Sequence, residues 1–142
     1  MHKTAFVEKG VRYTSVEQYF QVQKCIYTNN NRMKNIILKQ TDPIICNKLG
    51  RLIYMDEYHN FGIRDTLNIY KQGYILKFNQ NEKCSQFLLK TKGEIAYADC
   101  NIFFGIGIEI IDPRINSSKL WRGLNMLGVI LQNIRDEIIC NE

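Results

Sequence analysis

Glu17, Gln21 and Lys24 recur at helical spacing within "TSVEQYFQVQK", residues 14 to 24. The set contains a carboxylate, an amide and an amine. A carboxylate can stabilise developing positive charge or take a proton from water. A lysine amine can attack an electrophilic carbon, provided burial or a cationic neighbour lowers its pKa and leaves it neutral. On a helix, Glu17 and Lys24 would stand about 10.5 Å apart along the axis and nearly in line. That is too far for a good direct ion pair, yet it suits two groups flanking a ligand that Gln21 faces. The same residues also admit a structural assignment. Thr14 and Glu17 have the spacing of a capping box, and a stripe of Glu, Gln and Lys commonly edges a solvated helix face.

The elements that must carry this stripe are legible from apolar spacing and turn residues. "AFVEKGVRY" (5–13) alternates around Lys9-Gly10 and reads as a short hairpin. Thr14 is then placed to cap a helix running to about Tyr27, with Val16, Tyr19, Phe20, Gln23 and Tyr27 on its buried face. "TNNN" (28–31) breaks it, because its side chains compete for backbone hydrogen bonds. "RMKNIILKQ" (32–40) forms a short helix. The next has Asp42 as N-cap, Pro43 at the first helical position and a stop at Gly50. Residues 61–79 read as a long helix despite Gly73, and 81–91 as one more. "EIAYAD" (94–99) alternates at period two and reads as a strand, continued after a turn by "FFGIGIEI" (103–110). "DPRINSSK" (112–119) has loop composition, and residues 124–138 form a closing amphipathic helix. The expected fold is α+β, mostly helical, with a small sheet.

With 142 residues, 45% of them hydrophobic and 11% aromatic, the chain is long and apolar enough to enclose one core. Its longest apolar runs fall far short of the roughly 20 residues a membrane span needs. The start "MHKTAFVEKG" has no apolar leader, and five scattered cysteines include no CxxC pair. Reduced, mostly buried thiols in a cytoplasmic protein are therefore expected, with no metal centre; His2 and His59 lie far from obvious partners. A net charge of +5 favours approach of anionic ligands, nucleotides and nucleic acid included.

Six pieces in order carry a more specific signal: "SVEQYFQVQK" (15–24), "DPIICNKLGR" (42–51), "KFNQN" (77–81), "FGIGI" (104–108), "DPR" (112–114) and "WRGLNMLGVIL" (121–131). Together they resemble the successive signatures of the NADAR, or YbiA-like, family, with nearly its spacing from about Tyr13 to Arg135. The resemblance implies a single mostly helical domain over residues 1–142, short at its N-terminus, with N-glycosidase activity. Some members resemble enzymes acting on riboflavin-pathway ribosylaminopyrimidine phosphates. Others are similar to hydrolases that remove ADP-ribose from guanine in nucleic acid. The second is the expected substrate class here, as an ADP-ribosylated nucleobase within single-stranded nucleic acid. A non-catalytic relative binding ADP-ribose-like ligands is the alternative. Neither a metal nor a redox cofactor is implied.

Carried over position by position, the resemblance makes Glu17 and Lys24 the catalytic pair and Gln21 their neighbour. Arg51 and Lys77 become candidate phosphate partners. Gly105 and Gly107 would let backbone approach a ribose or phosphate, or else mark a turn. Trp121, Gly123 and Asn125 form a "WxGxN" piece, in which Asn125 reads sugar or base edges, or caps the last helix. The chain also departs from the family pattern. An aromatic-rich "SNF"-like segment is missing, and two family tryptophans fall on Phe104 and on Phe61, or Asn60 with a slip of one. A family Glu falls on Tyr97 or Ala96, and an Asp on Asn101 unless Asp99 serves. Loss of a carboxylate near a cationic sugar can cost several kcal/mol of transition-state binding.

Overall fold

A computed structural model describes residues 4–56 and 60–140 of the chain. His2 and His59 lie outside the described residues. The chain forms two compact units, Met1–Glu82 and Lys83–Glu142. Among the described residues are six α-helices and one two-stranded antiparallel sheet, a mostly helical α+β fold. None of these helices is long and apolar enough to cross a membrane.

The first unit opens with β1 (Phe6–Glu8) and β2 (Val11–Tyr13), paired Phe6 to Tyr13 and Glu8 to Val11. Lys9 (φ 48°) and Gly10 (φ 78°) both turn left-handed, as a two-residue hairpin connection requires. Next comes α1 (Val16–Tyr27). Its cap is not Thr14. Ser15 is the N-cap, and its hydroxyl accepts from Gln18 N at 3.0 Å. The Gln18 side chain accepts in turn from Thr14 N, so the box sits one residue later than the Thr14–Glu17 spacing suggests. The buried face is also wider than expected. Gln18, Gln21, Val22 and Cys25 are buried along with Val16, Tyr19 and Phe20, whereas Gln23 is half-buried and Tyr27 exposed.

This burial on several sides follows from three helices packing around α1. They are α2 (Asn31–Leu38), α3 (Pro43–Gly50) and α4 (Ile63–Gln80). Asn30 caps α2 through Met33 N, and Asp42 caps α3 through Ile44 N, with Pro43 opening that helix as expected. Helix α4 runs antiparallel to α1: Tyr27 meets Asp65, Phe20 stacks on Tyr70, and Gly73 lies against Tyr19 and Val16. Its far end reaches the hairpin, where the Gln80 amide bonds both Val7 N and Val7 O. Gln18, fully buried, donates to the carbonyls of Ile37 and Gln40 and so ties α1 to the end of α2.

The second unit contains α5 (Glu82–Leu89, beginning at the boundary) and α6 (Met126–Cys140). The two strands expected at 94–99 and 103–110 are absent, and the small sheet consists of the hairpin alone. The alternating residues form irregular backbone with other partners. Ile106 N donates to Tyr97 O, and Gly107 N to Asp99 O. Within 112–119 the expected loop contains short 3₁₀ turns at Pro113–Asn116 and Ser118–Leu120. Buried Arg135 of α6 fastens the segment after α5, donating to Thr91 Oγ1 and Gly93 O. The thiols are less buried than expected. Cys25 and Cys46 are fully buried, Cys84 half-buried, and Cys100 and Cys140 exposed, and none of the five forms a disulfide.

Candidate active site

The shift of the cap to Ser15 frees the Glu17 carboxylate from helix capping. Instead it faces α3 and α4. Glu17 Oε1 accepts from Gln21 Nε2 at 2.8 Å and from Asn47 Nδ2 at 2.9 Å. Oε2 accepts from the Tyr70 hydroxyl at 2.9 Å. All three donors are neutral, and they come from three different helices. The edge of α1 is therefore not a solvated stripe: Gln21 is only 4% exposed, and Glu17 and Lys24 are half-buried.

The facing surface is the last turn of α3. Asn47, Gly50 and Arg51 fall at i, i+3 and i+4, one side of that helix. Arg51 Nε donates to Asn47 Oδ1 at 3.2 Å, which leaves the Asn47 amino group turned toward Glu17. Gly50 O accepts from Lys24 Nζ at 2.9 Å. Gly50 also leaves room for Gln21, since a Cβ there would meet Gln21 Oε1 at 1.9 Å. Among the described residues that oxygen is buried without a hydrogen-bond partner. It lies within about 3.5 Å of the Gly50 Cα, the range of a Cα–H···O contact. Lys24 bonds a carbonyl rather than Glu17, in keeping with the expected separation along the helix. Burial pushes its ammonium below the ordinary lysine value, against the opposing charges of Cys25 and Glu17.

Aromatic rings border this polar row. Tyr70 stacks on Phe20 with centroids 4.5 Å apart, and Phe61 lies 6.3 Å from Phe20 and 4.9 Å from Tyr27. Of the expected residues in this unit, Glu17, Gln21, Lys24, Arg51 and Phe61 thus share one neighbourhood. Lys77 does not. It sits in the last turn of α4, past Gly73 and toward the hairpin. Asn47 and Tyr70 do not stand out in the sequence, and Gly50 reads there only as a helix stop. The common face of Asn47, Gly50 and Arg51 is the available signal for two of these three.

In the second unit, Phe104, Gly105, Gly107, Trp121, Gly123 and Asn125 interlock through backbone. Arg122 N and Gly123 N both donate to Ile106 O. Gly123 is pressed so close to Gly105 that a Cβ would meet its carbonyl oxygen at 2.2 Å. Asn125 adopts a left-handed backbone (φ 54°). Its side chain accepts from Tyr97 N and donates to Ile95 O, both at 2.8 Å, while its carbonyl accepts from Val129 N. It therefore starts α6 through its main chain and clamps 95–97 through its amide. Trp121 donates its indole N–H to Ile115 O, and Phe104 packs edge-on against Phe103. Asn101, at the family's Asp position, accepts from Phe103 N and Phe104 N and so caps the turn leading into Gly105.

The NADAR domain family model matches residues 1–139. The chain belongs to the NADAR family. Protein irg-1 of Caenorhabditis elegans is 31% identical to this NADAR chain over 134 residues, 92% of the chain. The chain spans 63% of that relative's length. An N-glycosidase of Acanthamoeba polyphaga mimivirus is 26% identical over 136 residues, covering 92% of the chain and 77% of the viral protein. The NMR structure of the Escherichia coli protein YbiA matches 98% of the chain and 75% of its own with a TM-score of 0.73. At 17% identity that likeness speaks for the fold.

Proposed function

We propose that this NADAR domain is an N-glycosidase that hydrolyses the bond between a ribose anomeric carbon and a nitrogen base, removing ADP-ribose from guanine in nucleic acid. The observation that carries the reading is Glu17, a carboxylate held by three neutral donors and left unpaired with any cation among the described residues. The viral N-glycosidase among its relatives supports the reaction class. As the C–N bond breaks, its electron pair leaves with the base, which takes up a proton, and positive charge builds on the ribose. A fixed carboxylate stabilises that charge most where water is excluded. Lys24 supplies the nucleophile. Its lowered pKa raises the fraction of neutral amine, which attacks the anomeric carbon; ring opening then gives an imine and a free ribose hydroxyl. Water hydrolyses the imine, so the net reaction is addition of one water. Arg51, exposed beside Asn47, would meet a phosphate on this reading.

The test is incubation with single-stranded DNA carrying ADP-ribosyl-guanine and, separately, with a ribosylaminouracil phosphate, followed by chromatography. ADP-ribose release from the first, sharply reduced but measurable in Glu17→Gln, lost in Lys24→Ala, and with an adduct trapped on Lys24 by borohydride, is the expected result. Turnover of only the second substrate would move the enzyme to riboflavin-type intermediates. A second reading is favoured by Asn101 and Asn125, whose amides are engaged with backbone. On that reading the domain binds ADP-ribose without cleaving it. Calorimetric binding with no turnover of either substrate would establish it.

A further inference from the structure

Glu17 is useful to a cationic transition state only if it keeps both its charge and its place. Resting on the N-glycosidase reading above, we propose that Asn47 and Tyr70 are positioning residues that hold the Glu17 carboxylate without neutralising it. The arrangement of charge on α3 supports this. Arg51 shares a face of α3 with Asn47, and its Nε bonds Asn47 Oδ1. Asn47 passes on a neutral N–H at 2.9 Å. The guanidinium therefore orients the amide, and the amide rather than a cation meets the carboxylate.

Tyr70 acts from the other side. Its ring is already held by stacking on Phe20, and Gly73 packs α4 against α1 one turn further on. Beyond that packing, the Tyr70 hydroxyl lies 2.9 Å from Glu17 Oε2. With Gln21 and Asn47 on Oε1 and Tyr70 on Oε2, three of about four acceptor positions of the carboxylate are filled. The open one is on Oε2, where a ribose hydroxyl or the attacking water would bind.

The experiment is steady-state kinetics of the full chain on whichever of the two substrates it turns over. Variants are Tyr70→Phe, Asn47→Ala, Asn47→Asp and each of these combined with Glu17→Gln, with melting temperatures alongside. Tyr70→Phe and Asn47→Ala should each lower kcat by about 10-fold to 10²-fold, the cost of misplacing a reacting group by roughly 1 Å. KM should stay within about threefold, since the lost contacts act on the transition state. Asn47→Asp keeps the shape and the bond from Arg51 but turns an oxygen toward Glu17, so kcat should fall at least as far as in Asn47→Ala. In the Glu17→Gln background none of them should reduce kcat further. Wild-type kcat in Tyr70→Phe and Asn47→Ala would overturn the inference alone. So would equal losses with and without Glu17, or an effect confined to KM. Absence of turnover by the wild-type chain on both substrates would overturn the N-glycosidase reading and this inference with it.

Discussion

Replacing Gly50 by alanine should destabilise the first unit, although helix propensity predicts the opposite sign. Gly50 is the last residue of α3, where a change from glycine to alanine ordinarily gains up to about 1 kcal/mol. Here the added methyl would lie 1.9 Å from Gln21 Oε1, 2.1 Å from its Cδ and 2.8 Å from its Nε2. Gln21 is buried, so the amide must move and surrender its bond to Glu17. A hydrogen bond to a charged group contributes about 1.5–3 kcal/mol, and overpacking a core adds about 1–3. Against the propensity gain, the net loss is about 3 kcal/mol, or roughly 10 °C in melting temperature for a chain of this size. Urea unfolding followed by far-UV circular dichroism measures it directly. The double variant with Gln21→Ala makes the test specific, because the methyl then has space. It should lose less than the sum of the two single changes. A Gly50→Ala protein as stable as the parent would refute the packing argument, and so would strict additivity in the double variant.

Gln18→Ala should be more damaging still, costing about 3 kcal/mol or more in the same denaturation assay, because it removes the donor to the carbonyls of Ile37 and Gln40 and the acceptor for Thr14 N from a fully buried position. Gln18→Glu should not rescue it, since a carboxylate cannot donate to those carbonyls. Burial pushes the Cys25 and Cys46 thiols up to about 11 from 9.0. Their pKa is raised in the folded state, so their contribution to stability is complete below pH 9 and is lost as pH rises toward about 11. Urea midpoints should therefore fall across that window, and less steeply in a Cys25→Ala, Cys46→Ala protein. With a thiol reagent near neutral pH, exposed Cys100 and Cys140 should react at once, whereas Cys25 and Cys46 should react only on unfolding.

Features governed by close neighbours along the chain are legible in the sequence itself. The Lys9-Gly10 hairpin, the Asp42-Pro43 start and Gly50 end of α3, and the long α4 all follow from local turn, cap and periodicity rules. The register of the first cap does not. "TSVEQ" offers two overlapping boxes, and the winner, Ser15 with Gln18, is decided by where Gln18 can bury its amide against α2. Alternation in "EIAYAD" is real, but a strand needs a partner strand. The backbone there finds the Asn125 amide and the 105–107 turn instead. The stripe of Glu17, Gln21 and Lys24 is visible as three residues on one helix. Its setting is not, because Asn47 and Tyr70 reach Glu17 from 30 and 53 residues away, and no periodicity reports such a meeting.

The start of α6 has a consequence for how this protein would hold phosphate. Helix N-termini attract anions through amides that lack partners. Here the amides of Leu124, Asn125, Met126 and Leu127 all donate to carbonyls of the preceding loop, those of Ile102, Gly105, Phe103 and Phe104. A diphosphate arriving there would find those amides occupied. On the function proposed above, a phosphate would then be met by cationic side chains such as Arg51, and contacts of that kind weaken steeply with added salt.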